Sequence, residues 1–256
     1  MSTYHSRNST SPSLVSSRGR AGEATGDSQP SARGTAVLWM IADRVLPLDR
    51  FEFGRAPECG RLLKRTLDIV LSSLALIILS PLLVAIAATV RLDSRGPSIY
   101  FSERVGKKGR VFRCIKFRTM VLDAESLLDD LRHMNERNGI LFKMSNDPRI
   151  TRIGRYLRKY SLDELPQFVN VLRGDMSIVG PRPPLAGEVR EYSADHLRRL
   201  DVTPGITGLW QVHARQDASF ESYISLDLSY IDNWSVWLDF KIILRTIGVV
   251  FSGTGS

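Results

Sequence analysis

Two adjacent acids, Asp163 and Glu164, stand in the run YSLDELPQFVNVLRGDMSIVGPRP from Tyr160 to Pro183, with basic and Gly/Pro-rich stretches on either side. Ser161 is placed to cap a helix, and Glu164, three residues on, to complete a capping box. Both carboxylates would then lie at the positive end of a helix dipole, a good place to handle anions. The plainer role of such acids is to stabilise a first helical turn, and the neighbouring residues decide between the two. Lys116, Arg118, Arg149, Arg152, Arg155, Arg158 and Arg182 fall in the same part of the chain. Most residues of a charge run face water or form ion pairs. Lys116 and Arg118, however, alternate along a β-prone run and so project to one face. Arg182 is held between Pro181 and Pro183 behind Gly180, and a rigidly framed guanidinium suits the paired oxygens of a phosphate. Asp175, in RGDMS, is either a further polar ligand or an organiser of those arginines.

The elements that position these residues follow from their patterns. Gly106 and Gly109 separate two β-prone runs between Ser98 and Met120, which predicts a basic β-hairpin. Val121 to Arg137 reads as a charged, partly amphipathic helix, and Ile153 to Leu157 and Leu165 to Leu172 as short apolar helical faces. Phe220 to Ile231 and Val236 to Val250 carry apolar residues at helical spacing, interleaved with Tyr223, Tyr230, Trp234 and Trp237, a pattern that suits helices at a membrane interface as well as in a core.

Leu67 to Val90 is uncharged and overwhelmingly apolar apart from Asp68, and a helix of that length could cover a hydrocarbon layer of about 30 Å. Pro81 lies in its middle, where it removes a backbone donor, and the Ser80 hydroxyl can satisfy a group so freed. Basic residues flank both ends: Arg61, Lys64 and Arg65 before it, Arg91 and Arg95 after it. Charge of that sign keeps both flanks on the cytosolic side, so a re-entrant hairpin broken at Ser80 and Pro81 is expected in preference to a spanning helix.

The 256 residues carry 35 Lys and Arg against 27 Asp and Glu, a formal charge of +8. That favours anionic partners: nucleic acid, acidic lipid or phosphorylated small molecules. Two cysteines, Cys59 and Cys114, without paired spacing, and no clustered His, argue against a disulfide framework or a zinc site. The Ser/Arg/Gly-rich stretch from Met1 to about Gly34 cannot bury enough apolar surface to fold and reads as a disordered tail. The expected organisation is a tail (1–34), a variable linker or short strand or helix (35–60), a re-entrant membrane hairpin (61–95) and a cytosolic domain (96–256). In fold class this is α+β: a helix-break-helix hairpin, a small β-hairpin and amphipathic interfacial helices around a compact catalytic domain.

Four segments, KRTLDIVLSSLALIILSPLLVAIAATVRLDSRGP, ERVGKKGRVFRCIKFRTM, RITRIGRYLRKYSLDELPQFVNVLRGDMSIVGPRP and TPGITGLWQV, together resemble the bacterial sugar transferases, from about Leu62 to Gly255. These are monotopic polyprenyl-phosphate sugar-1-phosphate transferases that initiate exopolysaccharide, capsule and O-antigen assembly. The resemblance implies that Asp163 is a nucleophile toward the sugar-bearing phosphorus of a UDP-sugar, with UMP leaving and a phosphosugar held covalently. It implies Glu164 as ligand of a Mg²⁺ cofactor, and Lys116, Arg118, Arg149, Asp175, Arg182, Trp210, Gln211 and Arg215 as phosphate- or substrate-binding residues. His213 and Ala214 depart from a small polar residue and Gly in many relatives, which leaves the choice of sugar open.

The partners implied are a UDP-sugar, a polyprenyl (undecaprenyl) phosphate, the cytoplasmic face of the bacterial inner membrane, downstream glycosyltransferases and, as an option, a second copy of the chain. Nucleic acid is not among them. The competing reading is a membrane-anchored basic interaction or nucleic-acid-binding protein without turnover, but no recognition helix or RNA-binding signature is present.

Overall fold

The computed structural model of this α+β chain describes residues 58–131, 133, 144, 146–213 and 219–252. The expected tail, nearly all of the 35–60 linker, and Arg215 lie outside those residues. The described chain opens with a 36-residue helix, α1 (Glu58–Asp93), followed by strands β1 (Ile99–Val105) and β2 (Val111–Phe117). Short helices α2 (Leu128–Leu131), α3 (Arg152–Lys159) and α4 (Phe168–Arg173) come next. Strand β3 (Ser177–Val179), helices α5 (Ala186–Arg190) and α6 (Ala194–Leu197), strand β4 (Gly205–Thr207) and α7 (Leu209–His213) lead into α8 (Phe220–Asp232) and α9 (Val236–Ser252).

Helix α1 runs through Pro81 without interruption, where the sequence predicts a break. Pro81 has no N–H to give the Ile77 carbonyl one turn back, and the Ser80 hydroxyl donates to that carbonyl at 2.8 Å instead. The helix is fixed at both ends to one body. At its start Lys64 Nζ donates to Asp239 Oδ2 of α9 at 2.6 Å and to the Val179 carbonyl at 2.9 Å, and Asp68 Oδ1 accepts from the Ile178 amide. Arg65 donates to the Val171 and Leu172 carbonyls, capping the negative end of α4. At its end Ile86 and Val90 pack with Phe117 and Leu157, and Asp93 Oδ2 accepts from the Ile153 amide. Between these anchors apolar side chains point outward, with Ile77 71% and Val84 69% exposed. This helix is long and apolar enough to cross a membrane.

Strands β1 and β2 form the predicted antiparallel hairpin, with Tyr100 opposite Lys116, Ser102 opposite Cys114 and Arg104 opposite Phe112. Opposed residues share a face, so the even-numbered residues of both strands form one side. The free edge of β2 is closed by a side chain: Asn170, fully buried in α4, accepts from the Ile115 amide at 2.9 Å and donates to the Arg113 carbonyl at 2.7 Å. It satisfies donor and acceptor as a neighbouring strand would. In doing so it fixes the segment just before α4 against Lys116.

A parallel pair, β3 and β4, was not foreseen from the sequence; three residues each are too short to show a period. The two chains approach so closely that a Cβ on Gly205 would lie 2.1 Å from the Gly180 amide nitrogen, so only glycine fits. Val179 of β3 packs with Val202, Tyr230, Ile231 and Ile242, tying this pair to α8 and α9. The two long C-terminal helices match their predicted ranges. The helix expected from Val121 does not form at its start: bonds such as Ala124 to Val121 and Leu128 to Glu125 are three-residue turns, and helix is confined to Leu128–Leu131 before residues outside the described set.

Candidate active site

The acid pair lies in a tight 3₁₀ segment, Leu162–Gln167, rather than in the first turn of a capped α-helix. Pro166 has no amide hydrogen for the Leu162 carbonyl, so α-helical bonding cannot start there. Ser161 sits at φ 55 in the left-handed region and its side chain makes no capping bond, so the expected capping box is absent. Packing does the positioning instead. Leu162 and Leu165 lie against the Ile86, Val90, Phe117 and Leu157 cluster, while Asn170 holds the following helix to β2.

Lys116 Nζ meets Glu164 Oε1 at 2.7 Å. Asp163 is buried, and among the described residues it has no ion-pair partner within bonding distance. Burial, and then the Glu164 carboxylate, push the Asp163 carboxyl up to about 6 against the pull of Lys116 and Arg158. Two crowded carboxylates of this kind fit a small hard cation, which needs few protein oxygens and completes its shell with water and phosphate oxygens. Three or more metal-binding side chains do not gather anywhere among the described residues.

The raised pKa has a stability consequence. The neutral acid is favoured in the fold, so its contribution is full below the unfolded value near 3.9 and is lost as pH rises through about 6. Asp163→Asn is therefore expected to raise the melting midpoint by several degrees at pH 8 in chelator, and by little at pH 4.5. Paired thermal melts at the two pH values check this, and an equal shift at both would contradict it.

The remaining sequence-derived residues separate by position. Arg118 donates to the Ser94 and Arg95 carbonyls just past α1, so it caps that helix, with its Nε buried and unpartnered. Arg149 forms a buried ion pair with Asp147 and donates to the Ala124 carbonyl. Neither guanidinium makes a bond to the acid pair. Asp175 Oδ2 accepts from Asn170 Nδ2 at 3.3 Å, which makes it a support for the residue that closes β2. Trp210 is buried with its ring edge-on to Tyr223, 5.0 Å between centroids, and Gln211 Oε1 is buried without a partner. Burial alone would depress the Arg182 pKa, but Tyr223, Glu188 and Glu164 carry it above its ordinary value, so Glu164 of the acid pair and Arg182 act on one another without a bond.

Sequence reading missed Arg104, Glu188, Asn170 and the pair Arg199 and Asp227. Arg199, in the 3₁₀ turn Arg198–Asp201, bonds Asp227, Tyr223, Tyr192 and the Arg182 carbonyl, all in the interior. It stacks over the Tyr223 ring at 4.1 Å. This network fixes the backbone on which Arg182 sits. A signal existed for Arg104 alone: it falls on the same strand parity as Lys116 once the hairpin register is known.

The structure thus joins a helix with an exposed apolar stretch, long enough to cross a membrane, to a body that sets the buried Asp163 beside a lysine-bonded Glu164. The chain belongs to the bacterial sugar transferase family, whose model matches residues 59–253. It is 48% identical over 194 residues to the galactosyl transferase CpsE of Streptococcus agalactiae, an overlap of 75% of this chain and 43% of that protein. It is 42% identical over 239 residues to an undecaprenyl-phosphate galactose phosphotransferase of Salmonella typhimurium, covering 89% of this chain and 49% of the relative. It is 39% identical over 209 residues to the exopolysaccharide production protein ExoY of Rhizobium meliloti, covering 80% and 92%. The chain thus spans about half the length of the first two and nearly all of the third.

Proposed function

We propose that the protein transfers a sugar 1-phosphate from a UDP-sugar to a polyprenyl phosphate, the opening step of an exopolysaccharide-type assembly. The observation that carries this reading is the division of labour in the acid pair: Lys116 is bonded to Glu164 and leaves the buried Asp163 carboxylate unpaired. The names of the relatives, a phosphotransferase of galactose to undecaprenyl phosphate among them, supply the substrate class.

An Asp163 oxygen attacks the sugar-bearing phosphorus, and the bond to the bridging oxygen breaks with its electron pair leaving on UMP. The phosphate oxygen of the lipid then attacks the same phosphorus, and the Asp163 carboxylate is released. Splitting the transfer in two predicts ping-pong kinetics. Lys116 and Arg182 balance charge on the phosphoryl oxygens, and electrostatic positioning supplies most of the acceleration. Glu164 would hold a Mg²⁺ ion, which when bound offsets the negative charge of the diphosphate. Arg118 and Arg149 shape the site through α1 and the Asp147 pair.

The same reading places the body on the cytoplasmic face of the inner membrane, with residues 61–95 dipping into the bilayer and returning and 96–256 forming the catalytic domain. A return would take the form of a bend at Pro81 inside the continuous helix α1, since a proline there lacks the bond one turn back and kinks a helix; support comes from the apolar residues exposed between the two anchored ends. The outer face of α9, Trp237, Phe240, Leu244, Ile247 and Phe251 at alternating three- and four-residue steps, is exposed beside Lys241 and Arg245. A face with aromatics, aliphatics and cations but no exposed acid suits an anionic lipid surface.

The reading is tested by a UMP-release screen across a panel of UDP-sugars, with detergent-purified protein, Mg²⁺ and polyprenyl phosphate. One sugar is expected to give acceptor-dependent product; no release from any would overturn the reading. Labelling of single cysteines introduced near Gly60 and Gly96 from opposite sides of the membrane would overturn the re-entrant geometry.

A further inference from the structure

The even-numbered face of the hairpin carries a second cation beside Lys116. Arg104, near the end of β1, is pinned by two bonds: Nε donates to Ser102 Oγ at 3.1 Å and Nη1 to the Pro183 carbonyl at 3.3 Å. The strand end is stitched to the same loop, since the Val105 amide donates to the Pro184 carbonyl at 2.9 Å. Arg104 is thereby held against the residue that follows Arg182. The Arg104 Nη2 and the whole Arg182 guanidinium have no hydrogen bond to a described residue, and neither arginine forms an ion pair among those residues.

Two like charges are thus brought together without a neutralising contact. Burial, and then the Arg182 charge, pull the Arg104 pKa below its ordinary value. The counter-charge that acts on both arginines is Glu188 of α5, a helix packed onto β1 through Val189 against Val105. Glu188 is only 2% exposed, its Oε1 is buried without a partner, and it stands outside ion-pairing distance of both arginines while acting on both electrostatically. Lys116 and Arg104 share this face with the buried Cys114 thiol, which burial pushes up and on which Lys116, Arg104, Glu164 and Arg182 all act electrostatically. Arg104 Nη2 and the Arg182 guanidinium thus keep free N–H groups, with Glu188 and Glu164 acting on Arg182 from beyond bonding distance.

We infer that Arg104 is a further phosphate-binding residue of the proposed active site, closing with Arg182 as a two-guanidinium clamp on one phosphate group, with the Glu188 carboxylate offsetting part of their mutual repulsion. A planar fork on each side matches the oxygens of a phosphate, and the pair is preorganised because Arg104 is already bonded on one edge. The inference rests on the phosphoryl-transfer reading for its substrate class, a phosphate of either the nucleotide diphosphate or the lipid.

The test is binding rather than turnover. Inorganic pyrophosphate and a short-chain polyprenyl phosphate are titrated into full-length wild-type, Arg104→Gln, Arg104→Lys and Arg113→Gln proteins in detergent, read as ligand-induced thermal shift. Arg113 lies exposed on the opposite face of the same hairpin and serves as control. Arg104→Gln is expected to weaken binding of at least one ligand by about tenfold or more, with Arg104→Lys intermediate and Arg113→Gln unchanged. Loss confined to pyrophosphate assigns the clamp to the donor, and loss confined to the lipid phosphate assigns it to the acceptor. If Arg104→Gln fails to fold, Arg104→Lys carries the test, with a severalfold loss expected. Wild-type affinity for both ligands in a folded Arg104 variant would overturn the inference while leaving the proposed function intact. A wild type that binds pyrophosphate through Arg104 yet releases UMP from no UDP-sugar would do the reverse.

Discussion

Asp163→Asn is expected to abolish turnover, lowering UMP release by roughly a thousandfold or more, while the protein stays folded. An amide is nearly isosteric with the acid but offers no nucleophilic oxygen, so the loss falls on the chemical step. The structure makes this variant unusually clean. Asp163 has no ion pair among the described residues, so removing its charge orphans no cation, and Lys116 keeps its bond to Glu164. A residue held for stability would give the opposite pattern. The carboxyl pushed up to about 6 destabilises the fold when ionised, so the inactive variant melts higher, not lower, near neutral pH. UMP release and a thermal melt on one preparation measure both effects. Residual activity near the wild-type rate would remove Asp163 from the nucleophile's role.

Arg199→Met is expected to be the most damaging single change to the fold. Its guanidinium bonds the Asp227 carboxylate, two tyrosine hydroxyls and the Arg182 carbonyl, with almost none of its surface in water. Burial works against the charge, but Tyr223 and Asp227 outweigh it and hold Arg199 above its ordinary pKa. Removing it strands a buried carboxylate and three oxygens, a cost of about 3–5 kcal/mol. For a body of this size that lowers the melting midpoint by roughly 10 °C. Changing the partner as well, Arg199→Met with Asp227→Leu, should recover much of the loss, because a well-packed apolar pair need not be worse than a buried ion pair. A single variant that melts within two or three degrees of wild type would contradict this account of the interior.

That network shows where the sequence stops being informative. The acid pair, the hairpin, Arg182 and the two C-terminal helices were legible because each has a local signature: adjacent acids, glycines between β-prone runs, a proline frame, a helical period. The Ser80 hydroxyl was legible too, since the carbonyl orphaned by Pro81 lies one turn away. The short parallel pair β3 and β4 joins residues 28 positions apart over three residues each, too little for any period to register. The capping box misled because a proline three residues past Asp163 dictates 3₁₀ geometry.

The basic charge misled in a more general way. Lys64, Arg65, Arg118, Arg149 and Arg199 all turn inward, to backbone carbonyls or to acids as near in the chain as Asp147 and as far as Asp239. Lys64, Arg149 and Arg199 each take an acid inward with them and leave the net charge unchanged, so it is Arg65 and Arg118, bonded to carbonyls, that a count of +8 wrongly assigns to the surface. Asn170 gave no signal, since nothing local marks an asparagine that will stand in for a strand.

The covalent intermediate is the claim on which the rest depends, and it is measured most directly by mass. Full-length protein incubated with Mg²⁺ and its UDP-sugar, with no lipid phosphate present, should release up to one equivalent of UMP. The intact chain should gain the mass of one sugar phosphate, and peptide mapping should place that mass on Asp163; added polyprenyl phosphate should discharge it. UMP release that requires the lipid, with no adduct on the unmodified chain, or an adduct on any other residue, would contradict the account.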